Sequence, residues 1–89
     1  MNREDVRAAL VAEVERIAPN TKGMAWDAMR SLRDQAELDS MDFLRFVEAV
    51  HRVFGIEVPE RDYARVDSLA GCTDYVLARR ATPSAGVVP

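Results

Sequence analysis

Ser40 is the residue whose setting could support chemistry, because it lies between Asp39 and Asp42 at the start of an amphipathic run that ends at Phe54. The run predicts a helix with the serine in its first turn. Asp39 is its predicted N-cap, since an aspartate side chain there can accept a backbone hydrogen bond. Ser40 is then a polar residue beside a cap, a catalytic nucleophile, or an attachment point for a phosphate-linked group.

A catalytic serine needs a base within hydrogen-bond reach and an oxyanion hole. His51 is the only histidine, and at about 1.5 Å per residue it lies roughly 16 Å from Ser40 along the same predicted helix. Lys22, the only lysine, has no Ser-x-x-Lys spacing to Ser40, and the Gly-x-Ser-x-Gly motif is absent. We therefore expect no catalytic residues and no enzymatic activity.

A phosphate linked to Ser40 is favoured by the start of the predicted helix. Free amide hydrogens and the positive end of the helix dipole both stabilise an anion at such a position. At about 100° per residue, Met41 lies opposite the apolar face of this helix and Leu44 lies at its edge, so both side chains are expected to be exposed. Exposed apolar groups beside Ser40 indicate a docking surface.

Size and charge limit the class of protein. A chain of 89 residues with 48% hydrophobic and 30% charged residues is one small globular domain. The net charge of -3 and the pI near 5.1 argue against nucleic-acid binding. Cys72, the single cysteine, excludes an internal disulfide and leaves no metal-binding cluster. With no signal peptide and no predicted membrane span, we expect a cytoplasmic monomer.

The first half of the chain predicts one helix and one long loop. Apolar residues with helical spacing indicate a helix from about Arg3 to Ala18, capped by Asn2 and stopped by Pro19. From Asn20 to Leu38 the pattern weakens, which predicts an ordered loop with one helical turn near residues 26–32. The predicted core residues of the first helix are Val6, Leu10, Val14 and Ile17.

The second half predicts three further helices. The helix that begins beside Ser40 ends at Gly55 as a C-cap, a short helix runs from Pro59 to Tyr63, and a last helix begins near Asp67 or Ser68 and ends at Arg79 and Arg80. The fold class is therefore all-α, a four-helix bundle with a short third helix, with residues 1–81 as the domain and 82–89 as a flexible tail. The core of the second predicted helix comprises Phe43, Val47, Val50 and Phe54, flanked by Phe46 and Val53, and that of the last comprises Leu69, Cys72 and Val76, with Tyr75 beside them.

The sequence around Ser40 is similar to the acyl carrier protein family, whose corresponding helix begins with Asp-Ser-Leu or Asp-Ser-Met. Residues 38–42 match that motif, and residues 53–60 resemble the family's segment between its second and third helices. Residues 67–69 and 74–76 resemble its final helix. The resemblance covers about Glu37 to Leu77.

The resemblance implies a covalent 4'-phosphopantetheine group on Ser40, transferred from coenzyme A by a phosphopantetheinyl transferase. The thiol of this arm would hold acyl groups as thioesters and present them to acyl-loading and acyl-using enzymes, while the carrier catalyses nothing itself. The implied fold is a four-helix bundle with a short third helix. The expected partner-docking residues are Asp39, Met41, Asp42, Leu44 and Glu48.

Two departures from the family indicate unusual partners. Before the serine the family usually has Asp-Leu-Gly-x-Asp, whereas residues 35–39 lack that leucine and glycine. The family's second helix is typically acidic, but here Asp42 and Glu48 are balanced by Arg45 and Arg52. We therefore expect a carrier in a specialised lipid or secondary-metabolite pathway rather than one recognised by the standard enzymes of fatty acid biosynthesis, whose docking faces are basic.

Three alternatives stay open. Peptidyl carriers usually have a glycine pair before the motif, which is absent, and D-alanyl carriers tend to have glycine where this chain has Asp42. The third alternative is an unmodified helical interaction module, in which Met41 and Leu44 form a partner patch. In the loop, Met24, Trp26 and Met29 either pin the loop to the bundle, which we favour, or line an acyl pocket.

Overall fold

The computed structural model describes residues 1–81, and these residues form α-helices, 3-10 helices and loops without a strand. The all-helical prediction is confirmed. The predicted tail, residues 82–89, lies outside the described residues. The α-helices are α1 (Arg3–Ile17), α2 (Leu32–Ala36), α3 (Ser40–Phe54) and α4 (Leu69–Ala81), and the 3-10 helices are Pro19–Thr21 and Glu60–Val66.

Helix α1 begins and ends where local sequence signals predict. The Asn2 side chain accepts a hydrogen bond from the Asp5 amide at 2.8 Å, and the Asp5 carboxylate accepts one from the Asn2 amide in return. Ala18 is the C-cap, and Pro19 follows in a 3-10 turn. The residues Val6, Leu10 and Val14 are fully buried, and Ile17 is half-buried.

Helix α2 corrects the prediction for the loop. Within residues 26–32 the structure has a single hydrogen-bonded turn, in which the Arg30 amide donates to the Asp27 carbonyl at 3.2 Å. The α-helix begins only after Ser31, whose hydroxyl accepts a hydrogen bond from the Asp34 amide. A serine cap determines the start more strongly than the scattered apolar residues before it. Met29 consequently lies on the surface, with 79% of its area exposed, so it does not pin the loop.

The segment after α3 follows the predicted order with one shift. Gly55 adopts a left-handed conformation with φ 70°, which ends α3. Ile56 and Val58 are buried on either side of exposed Glu57. Pro59 is the N-cap of the 3-10 helix Glu60–Val66, which ends three residues later than the predicted end at Tyr63.

The core lies where α1 packs against both α3 and α4. Phe46 and Val50 are buried as predicted, but Val53 is 39% exposed, so its placement in the core is wrong. One helical step of about 100° separates Val53 from buried Phe54, which places Val53 at the edge of the buried face, and Ala49 is buried instead.

Within residues 1–81, no helix combines the length and the apolar composition that a membrane crossing requires. The same residues contain no group of three or more histidine, cysteine, aspartate or glutamate side chains that could hold a metal ion.

Candidate functional site

Ser40 is exposed as the first residue of α3. The Asp39 carboxylate accepts a hydrogen bond from the Asp42 amide at 2.8 Å, and the Asp42 carboxylate accepts one from the Asp39 amide at 3.5 Å. This capping box confirms the predicted cap and adds a reciprocal role for Asp42. Among the described residues, no group forms a hydrogen bond with the Ser40 hydroxyl, so that oxygen faces solvent.

The helix start offers two free amide donors to an attached phosphate. The first four amide groups of a helix have no intrahelical acceptor. Asp39 satisfies the Asp42 amide, which leaves the amides of Ser40 and Met41 as donors at the positive end of a 15-residue helix. An exposed hydroxyl beside two such donors fits a phosphodiester.

His51, the only histidine, is too far from Ser40 to act as its base. His51 lies in the same helix, which is continuous from Ser40 to Phe54, so the separation of roughly 16 Å expected from helix geometry holds. His51 is exposed near the C-terminal end of α3. The prediction that His51 cannot take a proton from Ser40 is therefore confirmed by the geometry.

The predicted docking residues differ in their surroundings. Met41 is 61% exposed and Leu44 is 40% exposed, so the apolar flank of Ser40 lies on the surface as predicted. Asp39 and Glu48 are also exposed. Asp42 is half-buried, and its carboxylate also pairs with Arg45, with 3.3 Å between Oδ1 and Nη1. Asp42 is thus occupied by contacts within the chain.

Beside Ser40 lies a cluster of packed side chains that the sequence did not predict. Phe43, three residues after Ser40 and on an adjoining part of the helix surface, is buried between two side chains from other elements. The Arg33 guanidinium lies 4.6 Å from its ring centroid, and the Tyr63 ring meets it edge-on at 5.9 Å. These contacts hold the start of α3 against α2 and the 3-10 helix.

Asp67 positions Arg33. Its carboxylate accepts hydrogen bonds from the Ser31 hydroxyl at 2.8 Å, the Arg33 amide at 3.1 Å and Arg33 Nε at 3.3 Å, and its carbonyl accepts one from the Leu32 amide. One residue just before α4 therefore fixes α2. The Ser31 cap was the signal available in the sequence; the pairing with Asp67 spans more than thirty residues and had none.

The turn before the serine is unusual at Glu37. This residue stands where the resembling family usually has glycine, and it adopts φ 54° and ψ 47°, the left-handed region that glycine favours. The Leu38 amide donates to the Arg33 carbonyl at 3.0 Å, and Leu38 is buried. These contacts hold Glu37 in that conformation without a glycine.

Trp26 is half-buried and packs against the core, which supports loop pinning. The Ala28 carbonyl, nearby in the loop, accepts a hydrogen bond from the Ala70 amide of α4 at 2.9 Å. Met24 and Trp26 also line an open cleft against α1 with Val11. The cleft is open to solvent and is lined by both polar and apolar residues, so it does not decide between loop pinning and the acyl-pocket alternative.

A known protein family matches most of the chain. The family model described as "Phosphopantetheine attachment site" matches residues 8–76, which include Ser40 and most of the described chain. The chain belongs to this family. The 4'-phosphopantetheine group is therefore its cofactor, and the chain is a carrier protein rather than an enzyme.

The name of one curated relative is consistent with this family. The acyl carrier protein of Rubrobacter xylanophilus is 28% identical over 47 residues, which are 53% of this chain and 58% of the relative. The alignment thus spans somewhat more than half of the relative's length. No solved structure matches the chain.

Proposed function

We propose that the chain is an acyl carrier protein and that Ser40 carries the 4'-phosphopantetheine arm. The observation that carries this proposal is the exposed, unpartnered Ser40 hydroxyl at the capped start of α3, within the span that the attachment-site family model matches. The structure describes no other serine in that setting: Ser31 caps α2 and bonds to Asp67, and Ser68 accepts a hydrogen bond from the Gly71 amide.

In the attachment step the chain supplies only the nucleophile, the Ser40 hydroxyl. The Ser40 oxygen attacks the β-phosphate of coenzyme A, the new Ser40 oxygen to phosphorus bond replaces the bond to the departing 3',5'-ADP, and the hydroxyl proton passes to the transferase. When bound, the arm supplies a thiol that holds an acyl group as a thioester. The amides of Ser40 and Met41 stabilise the phosphodiester charge at the helix start.

The proposed bundle has four members. Helices α1, α3 and α4 are the long ones, and the 3-10 helix Glu60–Val66 takes the place of the short third helix, while α2 lies within the long connection before α3. This arrangement supports the acyl-carrier type of bundle, because it leaves Ser40 and Met41 exposed to a partner.

An acyl cargo is preferred to a peptidyl or D-alanyl cargo. The curated relative is named as an acyl carrier protein, and the motif lacks both the preceding glycine pair and the following glycine of the other two carriers. The proposed partners are a phosphopantetheinyl transferase and the enzymes that load and use the acyl group, in the cytoplasm and in a specialised lipid or secondary-metabolite pathway. The proposed docking set comprises Asp39, Met41, Asp42, Leu44 and Glu48.

The proposal is tested by intact mass after incubation with coenzyme A and a broad-specificity phosphopantetheinyl transferase. The wild-type chain should gain one phosphopantetheine arm, and Ser40→Ala should gain none. Ser31→Ala and Ser68→Ala are matched controls that should be modified like the wild type. An unchanged wild-type mass, under conditions that modify a control carrier, would contradict the proposal.

The second candidate, an unmodified interaction module, is favoured only by the exposed Met41 and Leu44 and conflicts with the match to the attachment-site family. In that case the wild-type chain keeps its mass in the same experiment, and substitution of Met41 or Leu44 weakens partner binding without any dependence on Ser40. The mass measurement therefore separates the two candidates.

A further inference from the structure

A cleft of about 300 Å³ lies between the C-terminal half of α1 and the exposed side of α3. Half-buried Ile17 is the apolar residue of its lining. Around it stand three guanidinium groups and one carboxylate, a surface unlike the acidic helix face typical of the resembling family. The charged lining residues are Arg16, Arg45, Glu48 and Arg52.

The ion pairs of this region present their positive members to solvent. The side chains of Arg16, Arg45 and Arg52 are 61%, 62% and 56% exposed, whereas the acids that pair with them, Glu13 and Asp42, are only 17% and 28% exposed. A partner approaching this face therefore meets these guanidinium groups before the Glu13 and Asp42 carboxylates, and Glu48 is the one exposed carboxylate among the lining residues. The net charge of α3, which sums to zero, does not reveal this difference in exposure.

The guanidinium groups keep unused donors. Glu13 Oε1 accepts from both Arg16 and Arg52, at 2.8 and 2.7 Å, so two arginines share one carboxylate. Arg45 makes one bond of 3.3 Å, to Asp42. Because each guanidinium has five N–H donors arranged to bind carboxylates in pairs, most of the donors here stay available to an incoming carboxylate.

The cleft is continuous with the apolar flank of Ser40. Met41, Arg45, Glu48 and Arg52 are spaced i, i+4, i+7 and i+11, so they form one stripe along α3. The stripe is about 17 Å long at 1.5 Å per residue. A protein that contacts Ser40 and extends along α3 therefore covers an apolar residue first and a basic cleft next.

We propose that this stripe, together with Arg16, docks a partner enzyme whose own docking surface is acidic. The inference rests on the proposed function, because it assumes that partners approach Ser40 along α3. Asp39 and Asp42, two acids of the expected docking set, are held in the capping box and in the Arg45 pair. Arg16, Arg45 and Arg52, none of them in that set, select the partner.

A charge-swap experiment tests the proposal. The probes are a phosphopantetheinyl transferase with a basic docking surface and the same transferase with those basic residues changed to glutamate. Each is first shown to be active, the parent on a carrier with an acidic serine-bearing helix and the swapped enzyme on that carrier with its acids changed to arginine. The rate of arm addition to Ser40 is then measured by intact mass at low salt.

The wild-type chain should be modified about fivefold or more faster by the acidic transferase than by its parent, and salt should reduce this preference. Arg45→Glu should reverse the preference, and Arg45→Gln should weaken it. Arg7→Glu is the matched control, an exposed arginine outside the cleft lining, and it should keep the wild-type preference although the net charge changes equally. Thermal unfolding confirms that each variant is folded.

Equal rates for the two transferases on the wild-type chain would overturn the proposal while leaving Ser40 established as the attachment site. Equal effects of Arg45→Glu and Arg7→Glu would also overturn it, since the effect would then come from net charge and not from the stripe. Failure of both active transferases to modify the wild-type chain at any enzyme concentration would remove the proposed function as well.

Discussion

Ser40 and Cys72 show how the surroundings of one side chain determine its use. The Ser40 hydroxyl is exposed at a helix start, whereas Cys72 is fully buried in the core stripe of α4. Burial raises the pKa of the Cys72 thiol to about 12, since the thiolate would be desolvated. The thiolate is the reactive form, so Cys72 is inert at neutral pH, and the accessible group is Ser40.

The unmodified protein and the protein that bears the phosphopantetheine arm should differ by one reactive thiol. With a pKa of about 12, Cys72 stays protonated at pH 8, so the unmodified protein should show no fast-reacting thiol with Ellman's reagent. The arm-bearing protein should show one, and urea should add Cys72 to the count. The Cys72→Ala variant is the control and should keep the arm's thiol. A fast thiol in the unmodified wild-type protein would contradict the assignment.

Helix α3 is the element whose limits are encoded locally at both ends. Its N-terminus has the Asp39 and Asp42 capping box, and its C-terminus has Gly55 in a left-handed conformation whose amide donates to the His51 carbonyl at 2.7 Å. Local signals of this kind can be recognised in a sequence without knowledge of the fold. The position of Ser40 at the first turn was predictable for that reason.

Loss of the cap should destabilise the protein, whereas loss of the attachment hydroxyl should not. Asp39→Ala removes the acceptor for the Asp42 amide and should lower the free energy of unfolding by about 1 kcal/mol. Ser40→Ala should leave it nearly unchanged, because the Ser40 side chain has no described partner. Urea denaturation of both variants is the measurement, and equal losses would show that the cap is misassigned.

The buried end of α3 should be far more sensitive than the neighbouring exposed position. Phe54 is buried, so Phe54→Ala should cost about 3–5 kcal/mol through lost burial and a residual cavity. Val53→Ala, one residue earlier and 39% exposed, is expected to cost roughly 0.5 kcal/mol or less. Thermal and urea unfolding distinguish the two, and similar losses would place Val53 in the core after all.

At the scale of the whole molecule, α4 is held against the 3-10 helix by a polar network and by one close contact. The Tyr75 hydroxyl donates to the Asp62 carboxylate at 2.7 Å, and Arg79 donates to both residues. Burial and the hydrogen bond to Asp62 raise the pKa of Tyr75. At Gly71 the backbone of α4 approaches the Arg65 carbonyl so closely that an added Cβ would overlap its oxygen.

Gly71→Ala should therefore destabilise the protein. In an isolated helix this change stabilises by about 0.5–1 kcal/mol, but here the new methyl group meets backbone, which cannot rotate away. We expect a net loss of about 1–3 kcal/mol, the usual cost of overpacking. Ala12→Gly, at an exposed position of α1, calibrates the helix-propensity contribution. A stabilised Gly71→Ala variant would show that the contact is looser than the structure indicates.

The sequence by itself determined the all-helical class, the caps at Asn2, Asp39 and Gly55, and the exposure of Met41 and Leu44, because these depend on neighbours within a few residues. It did not predict the position of α2, because the apolar pattern there is weak. Hydrogen bonds to Asp67, from the other half of the chain, hold α2 in place. It also gave α3 a net charge of zero, because its acids and arginines are equal in number. Only the tertiary structure decided that the acids Glu13 and Asp42 lie beneath exposed arginines, because burial depends on which helices pack together and not on the order of residues in one.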